Sequence, residues 1–304
     1  MAWRWHGVAL LFAPLLLLGL AAWSPARAAP RAADNMVDVH LVLAVDISYS
    51  MDPEEQALQR EGYAAALVSP EFLNALKLGP NGRIAVTYVE WAGESEQRVI
   101  IPWTLVDGAP AAQALSARIL AVPLRRAYRT SISGALRFSM AQFKESGFRA
   151  LRNVIDVSGD GVNNQGPAVT QMRDEVVKAG ITINGLPLVL KRSTNAAMDV
   201  PDLDIYYEDC VIGGPGAFAI PVRAMDEFAR AIKTKLVLEV AGVVPKPAPR
   251  IVPAASPARI SCLIGERMWQ EHWNNGVPAP AGARRLRCFA DQAFCNWASR
   301  SRCS

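Results

Sequence analysis

The stretch HLVLAVDISYSMDPEE, residues 40–55, passes from apolar to polar to acidic within sixteen positions. From Leu41 to Val45 it is apolar without alternation, the pattern of a short strand buried on both faces. Asp46, Ser48 and Ser50 follow at every second position, small oxygen-bearing side chains on a turn. Asp52-Pro53-Glu54-Glu55 then reads as a helix start. Asp52 is the N-cap, Pro53 takes the first helical position, and Glu55 closes a capping box. A buried strand that hands a polar turn directly to a helix is the opening unit of an α/β sheet.

The remaining sequence continues this alternation. IAVTYV (84–89) and RVIIPW (98–103) read as strands, with Gly93-Glu94-Ser95 between them as a hairpin turn. Pro102 confines the second of the pair to a sheet edge. Helical stretches follow at 111–121 and 133–146, then strand NVIDVS (153–158), helix 167–179 and strand ITINGLPLVL (181–190). An irregular acidic stretch containing Asp199, Asp202, Asp204, Glu208 and Asp209 precedes the short apolar AFAIPV. A last helix carries Met225, Phe228, Ala229, Ile232, Leu236 and Val240 on one face. The fold class is α/β: a doubly wound, mainly parallel central sheet flanked by helices. Ligands of such sheets bind beyond the carboxyl ends of the strands, where Asp46 to Ser50 lie.

The chain has 304 residues, about half of them apolar, and a formal charge of +4. That is enough for a sizeable core and too mild a charge for a nucleic-acid surface. Arg4 and His6, an apolar run at 8–22 and the site Ala26-Arg27-Ala28 read as a signal peptide over residues 1–28, cleaved after Ala28. The mature chain is then periplasmic or secreted, in a compartment that permits disulfides. Residues 37–241 form the α/β domain, and the Pro/Ala-rich residues 243–258 form an extended linker. Residues 259–304 form a small tail with Trp269, Trp273, Trp297 and an excess of arginine. Its cysteines Cys262, Cys288, Cys295 and Cys303 are an even set, read as two disulfides with three possible pairings. Cys210 is left over and reads as a buried free thiol.

Oxygen donors decide the chemistry. An Asp-x-Ser-x-Ser loop offers one carboxylate and two hydroxyls, which suits a hard cation such as Mg²⁺. Hydroxyls add no charge, so the cation stays partly uncompensated and attracts an outside carboxylate. Two further segments fall where loops at the carboxyl end of the sheet belong: RTSISGAL places Thr130 in a loop just before a helix, and VSGDGVNN places Asp160 just after a strand. Histidine is scarce after residue 28 (His40 and His272 only), which argues against a His-ligated zinc or a Ser-His-Asp triad. There is also no phosphate loop of the GxxxxGK[ST] kind.

Taken together, Asp46-x-Ser48-x-Ser50, Thr130 and Asp160 resemble the metal-ion-dependent adhesion site of von Willebrand factor type A domains. The segments YVEWAG and CVIGGPGAF resemble an uncharacterised bacterial branch of that family. The resemblance implies that Ser48 and Ser50 bind the cation directly and that Thr130 binds it directly or through water. Asp46 and Asp160 would coordinate or hold metal-bound water. The family carries Thr or Ser before the last aspartate, where this chain has Gly159, so a supporting hydroxyl is missing. The implied function is metal-dependent protein binding without catalysis, in which Mg²⁺ (or Mn²⁺ or Ca²⁺) captures an acidic residue of a protein partner. A metal-dependent hydrolase of the envelope is the alternative and needs a general base. Only Glu90, otherwise read as a surface acid or a partner of metal-bound water, is a candidate. A structural envelope protein with a vestigial site is the third reading. Asp156, inside an apolar strand, is expected to pair with an arginine or with backbone amides.

Overall fold

The computed structural model describes residue 1 and residues 35–190, 200–242 and 259–276. Residues 2–34, which hold nearly all of the stretch read as a signal peptide, residues 243–258, read as a linker, and Cys288, Cys295, Cys303 and Trp297 lie outside the described residues. Five strands form one sheet: β1 (Met36–Asp46), β2 (Ile84–Trp91), β3 (Gln97–Val106), β4 (Arg149–Gly159) and β5 (Ile181–Pro187). Their order is β3-β2-β1-β4-β5. β1 runs parallel to β2 and β4, β4 runs parallel to β5, and only β3 is antiparallel. β3 is the edge strand that Pro102 requires, and Pro102 itself is exposed. The other edge, β5, is bridged by the segment 213–222 through Gly213, Ala219 and Val222.

β1 shows why its sequence does not alternate. Val39, Leu41, Leu43 and Val45 enter one apolar core, while Val42 and Ala44 enter another. The first core is closed by α1 (Pro53–Leu67), α2 (Pro70–Leu78), α3 (Ala109–Leu120) and, from further along the chain, a helix at Phe228–Ala241. The second is closed by α4 (Ile132–Gln142), α5 (Val169–Lys178) and the short α6 (Leu203–Tyr206). The Phe228–Ala241 helix is α7, and α8 (Ile264–Gly276) follows it. Each fully buried leucine of β1 contributes about 1.5–3 kcal/mol relative to exposure.

The helix start read at Asp52 is present in full. Asp52 Oδ1 accepts from the Glu55 N–H at 2.8 Å, and Glu55 Oε2 accepts from the Asp52 N–H at 2.9 Å. Elsewhere the structure departs from expectation. From Leu203 the acidic stretch is helical: α6, with Tyr206 buried, continues into a π-helical turn at Tyr207–Val211 that buries Tyr207, Cys210 and Val211. Asp156 pairs with a lysine, not an arginine: Lys235 Nζ lies 2.7 Å from Asp156 Oδ1, with both side chains fully buried.

The cysteine reading is corrected. Cys210 is bonded to Cys262, so Cys210 is not a free thiol and Cys262 is not half of a bridge inside the tail. The reason is tertiary. Arg259 reaches Asp209 with its backbone N–H (2.7 Å) and its guanidinium (2.8 Å), and Ile260 and Ile264 pack on the second core. Cys262 is thereby laid over the helical turn that carries Cys210. The bridge spans 52 residues, a separation invisible to any local spacing rule. Cys262→Ser is expected to cost about 2–4 kcal/mol, read as a lowered urea midpoint. Peptide mapping of unreduced protein should recover the 210–262 cross-link.

Candidate metal centre

β1 sits at the point where the chain turns from one half of the sheet to the other. The carboxyl ends of β1 and β4 are therefore neighbours, with Val45 opposite Ser158. Asp46 ends one strand, and Asp160 follows the other. Asp46 is fully buried; its Oδ1 accepts from the Ser48 N–H at 2.7 Å. Ser48 Oγ and Ser50 Oγ are 2.7 Å apart, and Ser50 Oγ donates to Asp160 Oδ1 at 2.6 Å. The first and third segments thus touch directly.

Thr130 arrives on a loop tied to both. Ala127 N–H donates to Ile47 O and Tyr49 N–H to Ala127 O, each at 2.9 Å, which zips residues 47–49 onto the loop before Thr130. On the other side, Asn164 donates its N–H to Thr130 O (2.8 Å). Its Oδ1 accepts from the N–H of Thr130 (3.1 Å). Thr130 Oγ1 lies 3.5 Å from where a Cβ on Gly161 would sit, beside Asp160. Ser50 is exposed, whereas Ser48 and Thr130 are buried. The five side chains therefore gather at one mouth open to solvent.

This donor set suits a hard cation. Burial, and then the neighbouring Asp160 carboxylate, push the Asp46 carboxyl well above the usual range. Its Oδ2 has no well-formed hydrogen bond. Two carboxylates and three hydroxyls are the oxygen ligands that Mg²⁺ or Mn²⁺ prefers. Among the described residues, no group of three or more His, Cys, Asp or Glu gathers at these loops or elsewhere, so hydroxyls would have to complete any cation's shell.

Gly159 is explained by what surrounds it. A Cβ there would lie 2.8 Å from Asp46 Oδ2, 3.0 Å from Tyr207 Oη and 3.2 Å from the Trp91 ring. Threonine or serine has no room. The hydroxyl of Tyr207 and the Nε1 of Trp91 are themselves buried without hydrogen-bond partners, like Asp46 Oδ2. Burial, then Asp46 and Asp160, push the Tyr207 phenol well up, so it stays a neutral donor. Sequence reasoning did not single out Tyr207. It lay in a stretch read as irregular, some fifty residues from Asp160, and carried no local signal.

Glu90 is not the surface acid of the sequence reading. It is buried at the end of β2, with Oε1 2.6 Å from Arg60 Nη2 and Oε2 3.9 Å from Arg125 Nη1. Burial raises its carboxyl despite Arg60.

α8 leans on the third segment. Asn163 Nδ2 donates to Glu266 Oε1 at 2.8 Å, and a Cβ on Gly265 would collide with the Asn163 carbonyl. The Arg129 guanidinium stacks 3.6 Å from the centroid of Trp269 while its Nε donates to Asn164 Oδ1 at 3.2 Å. Arg129 has a left-handed backbone (φ 73°), the sole non-glycine residue to do so among the described residues. These contacts offset that strain and fix the residue before Thr130.

A family model described as "Protein of unknown function (DUF1194)" matches residues 36–244, more than half of the chain. The chain belongs to the DUF1194 family. A comparison with curated proteins found no match. Among solved structures, proximal thread matrix protein 1 from the mussel byssus is 14% identical with a TM-score of 0.51, covering 67% of this chain and 48% of that one. A second structure of that protein, "with zinc occupied MIDAS motif", gives 14% identity, the same 67% and 48% coverage, and a TM-score of 0.46. A von Willebrand factor type A protein from Catenulispora acidiphila is 15% identical with a TM-score of 0.48, covering 67% and 43%. The chain spans about half the length of these structures or less. The doubly wound α/β fold of this DUF1194 chain, with its strand order and two helix layers, is shared with proximal thread matrix protein 1.

Proposed function

We propose that this DUF1194 protein is an exported, non-catalytic interaction module. Asp46, Ser48, Ser50, Thr130 and Asp160 hold one divalent cation, Mg²⁺ or Mn²⁺, at the carboxyl edge of the sheet. The observation that carries this reading is the buried Asp46 carboxylate, one oxygen lacking a well-formed hydrogen bond, beside a second carboxylate and three hydroxyls on converging loops. The cation would supply a positively charged coordination position for a carboxylate of a protein partner. Exposed Ser50 and half-buried Asp160 form the lip over which that carboxylate enters, while Asp46 and Ser48 form the buried floor. The Tyr207 hydroxyl, which shares the space beside Gly159 with Asp46 Oδ2, would take the supporting role of the family's missing Thr or Ser side chain once a cation is bound. No catalytic role is assigned: Glu90, the one general-base candidate from the sequence, is held by Arg60. Export rests on the charged start, apolar run and small-residue site within residues 1–28.

Calorimetric titration with Mn²⁺ should show one bound ion per mature chain. Affinity capture from an envelope extract should retain a partner in Mn²⁺ and release it in EDTA, and Asp160→Ala should do neither. A parent protein that takes up no Mn²⁺ at millimolar concentration sinks the reading.

A further inference from the structure

Beside the five side chains lies a cleft of about 430 Å³ that the cation does not need. Its walls include Arg125, Arg126, Arg129, Tyr49 and Tyr128, with Glu96 as the one carboxylate. Two of its walls come from the segments that carry the candidate metal centre. Tyr49 stands between Ser48 and Ser50, and the residues 125–129 run directly into Thr130.

The arginines differ in what occupies them. Arg129 is engaged by Asn164 and Trp269. Arg126 donates Nη2 to the Tyr49 carbonyl at 2.7 Å and lies 4.7 Å from the Tyr49 ring centroid, but its buried Nε has no acceptor. Arg125, 39% exposed, meets Glu90 and Glu96 only at 3.9 and 3.8 Å, beyond hydrogen-bond length. Tyr49 and Tyr128 stack at 4.4 Å between centroids, and Tyr128 is 75% exposed. The cleft thus presents unspent guanidinium donors beside an exposed aromatic pair. Guanidinium forks match carboxylates in geometry as well as charge.

We infer that this cleft receives a second carboxylate of the same partner, so that the recognised element is an acidic peptide segment with two acids close in sequence. The inference rests on the metal-centre reading above and adds the partner's chemistry to it. In an extended peptide, side chains two residues apart share a face and stand about 7 Å apart. With one carboxylate at the Ser50–Asp160 lip, the next acid on that face is offered to the wall that begins at Tyr49. The cleft's positive excess adds to the charge of a bound cation and steers acidic segments toward the site.

The test uses two fluorescein-labelled peptides in saturating Mn²⁺. One has a central aspartate flanked two residues away on each side by glutamate, and the other has glutamine at both flanks. The parent protein should bind the first about tenfold more tightly, with the difference shrinking at high salt. Arg125→Gln/Arg126→Gln should erase that preference while Mn²⁺ titration and binding of the glutamine peptide stay unchanged. Arg126 also braces Tyr49, so Arg125→Gln alone is the companion variant and should lose part of the preference if the double variant does not fold. A parent that takes up Mn²⁺ but binds both peptides equally overturns this inference alone. So does a preference that survives in the arginine variants. A parent that takes up no Mn²⁺ overturns the metal-centre reading, and this inference with it.

Discussion

Asp46→Asn should abolish Mn²⁺ binding, by a hundredfold or more in affinity, yet leave the cation-free domain at least as stable as the parent. The two halves of that result have one cause. Asp46 is fully buried, one of its oxygens lacks a well-formed hydrogen bond, and Asp160 stands nearby with the same charge. Without a cation this is an unfavourable arrangement, since a buried charge needs a partner. Asparagine removes the charge and keeps the Oδ1 that accepts from the Ser48 N–H. With a cation, that same charge is what holds it. Tyr207→Phe should act differently: the two carboxylates remain, so Mn²⁺ still binds, about three- to tenfold more weakly. Calorimetric titration beside urea unfolding in EDTA reads both quantities. A large loss of stability in Asp46→Asn would mean that the carboxylate is a structural cap and not a ligand.

Lys235→Met should be the most destabilising single change in the domain, costing about 3–5 kcal/mol near neutral pH. Lys235 is fully buried between Asp156 and Glu239, forming an ion pair with each, and Asn184 donates to Glu239 Oε1 at 2.9 Å. Tyr63 lies against Asp156 at 3.3 Å, and Arg152 reaches the Glu239 carbonyl at 2.8 Å. Removal of the ammonium strands two carboxylates in the core. The cluster also sets a pH dependence. Burial, then Asp156, push Glu239 from its ordinary 4.5 up to about 7 despite Lys235. Between those values the folded chain holds a proton that the unfolded chain has released. Stability is therefore greatest at the acid end of this window and falls as pH rises, by up to about 3 kcal/mol. Urea midpoints from about pH 5 to about pH 8 should show that decline, and Glu239→Gln should flatten it. A stability that rises over this range in the parent would contradict the assignment.

How much of this was legible in advance follows the reach of the forces involved. The uninterrupted apolar run of β1, the Asp52–Glu55 capping box and the edge placement forced by Pro102 depend on residues a few positions apart. A linear reading recovered them, and with them the α/β class. Asp46 and Asp160 follow parallel strands, whose carboxyl ends lie on one rim, so strand order brings these two toward each other; Thr130 comes on the α3–α4 loop, which backbone bonds of Ala127 tie to residues 47–49. What the tertiary structure decided is everything whose partner lies far along the chain. Cys210 chose Cys262 because Arg259 and two isoleucines dock the returning chain on the second core. Asp156 chose Lys235 because α7 packs against that face of the sheet. The glycine at 159 is dictated by a tyrosine from a distant helical turn that already fills the space. Sequence records local geometry, whereas long-range pairing depends on which surfaces the packed layers bring into contact.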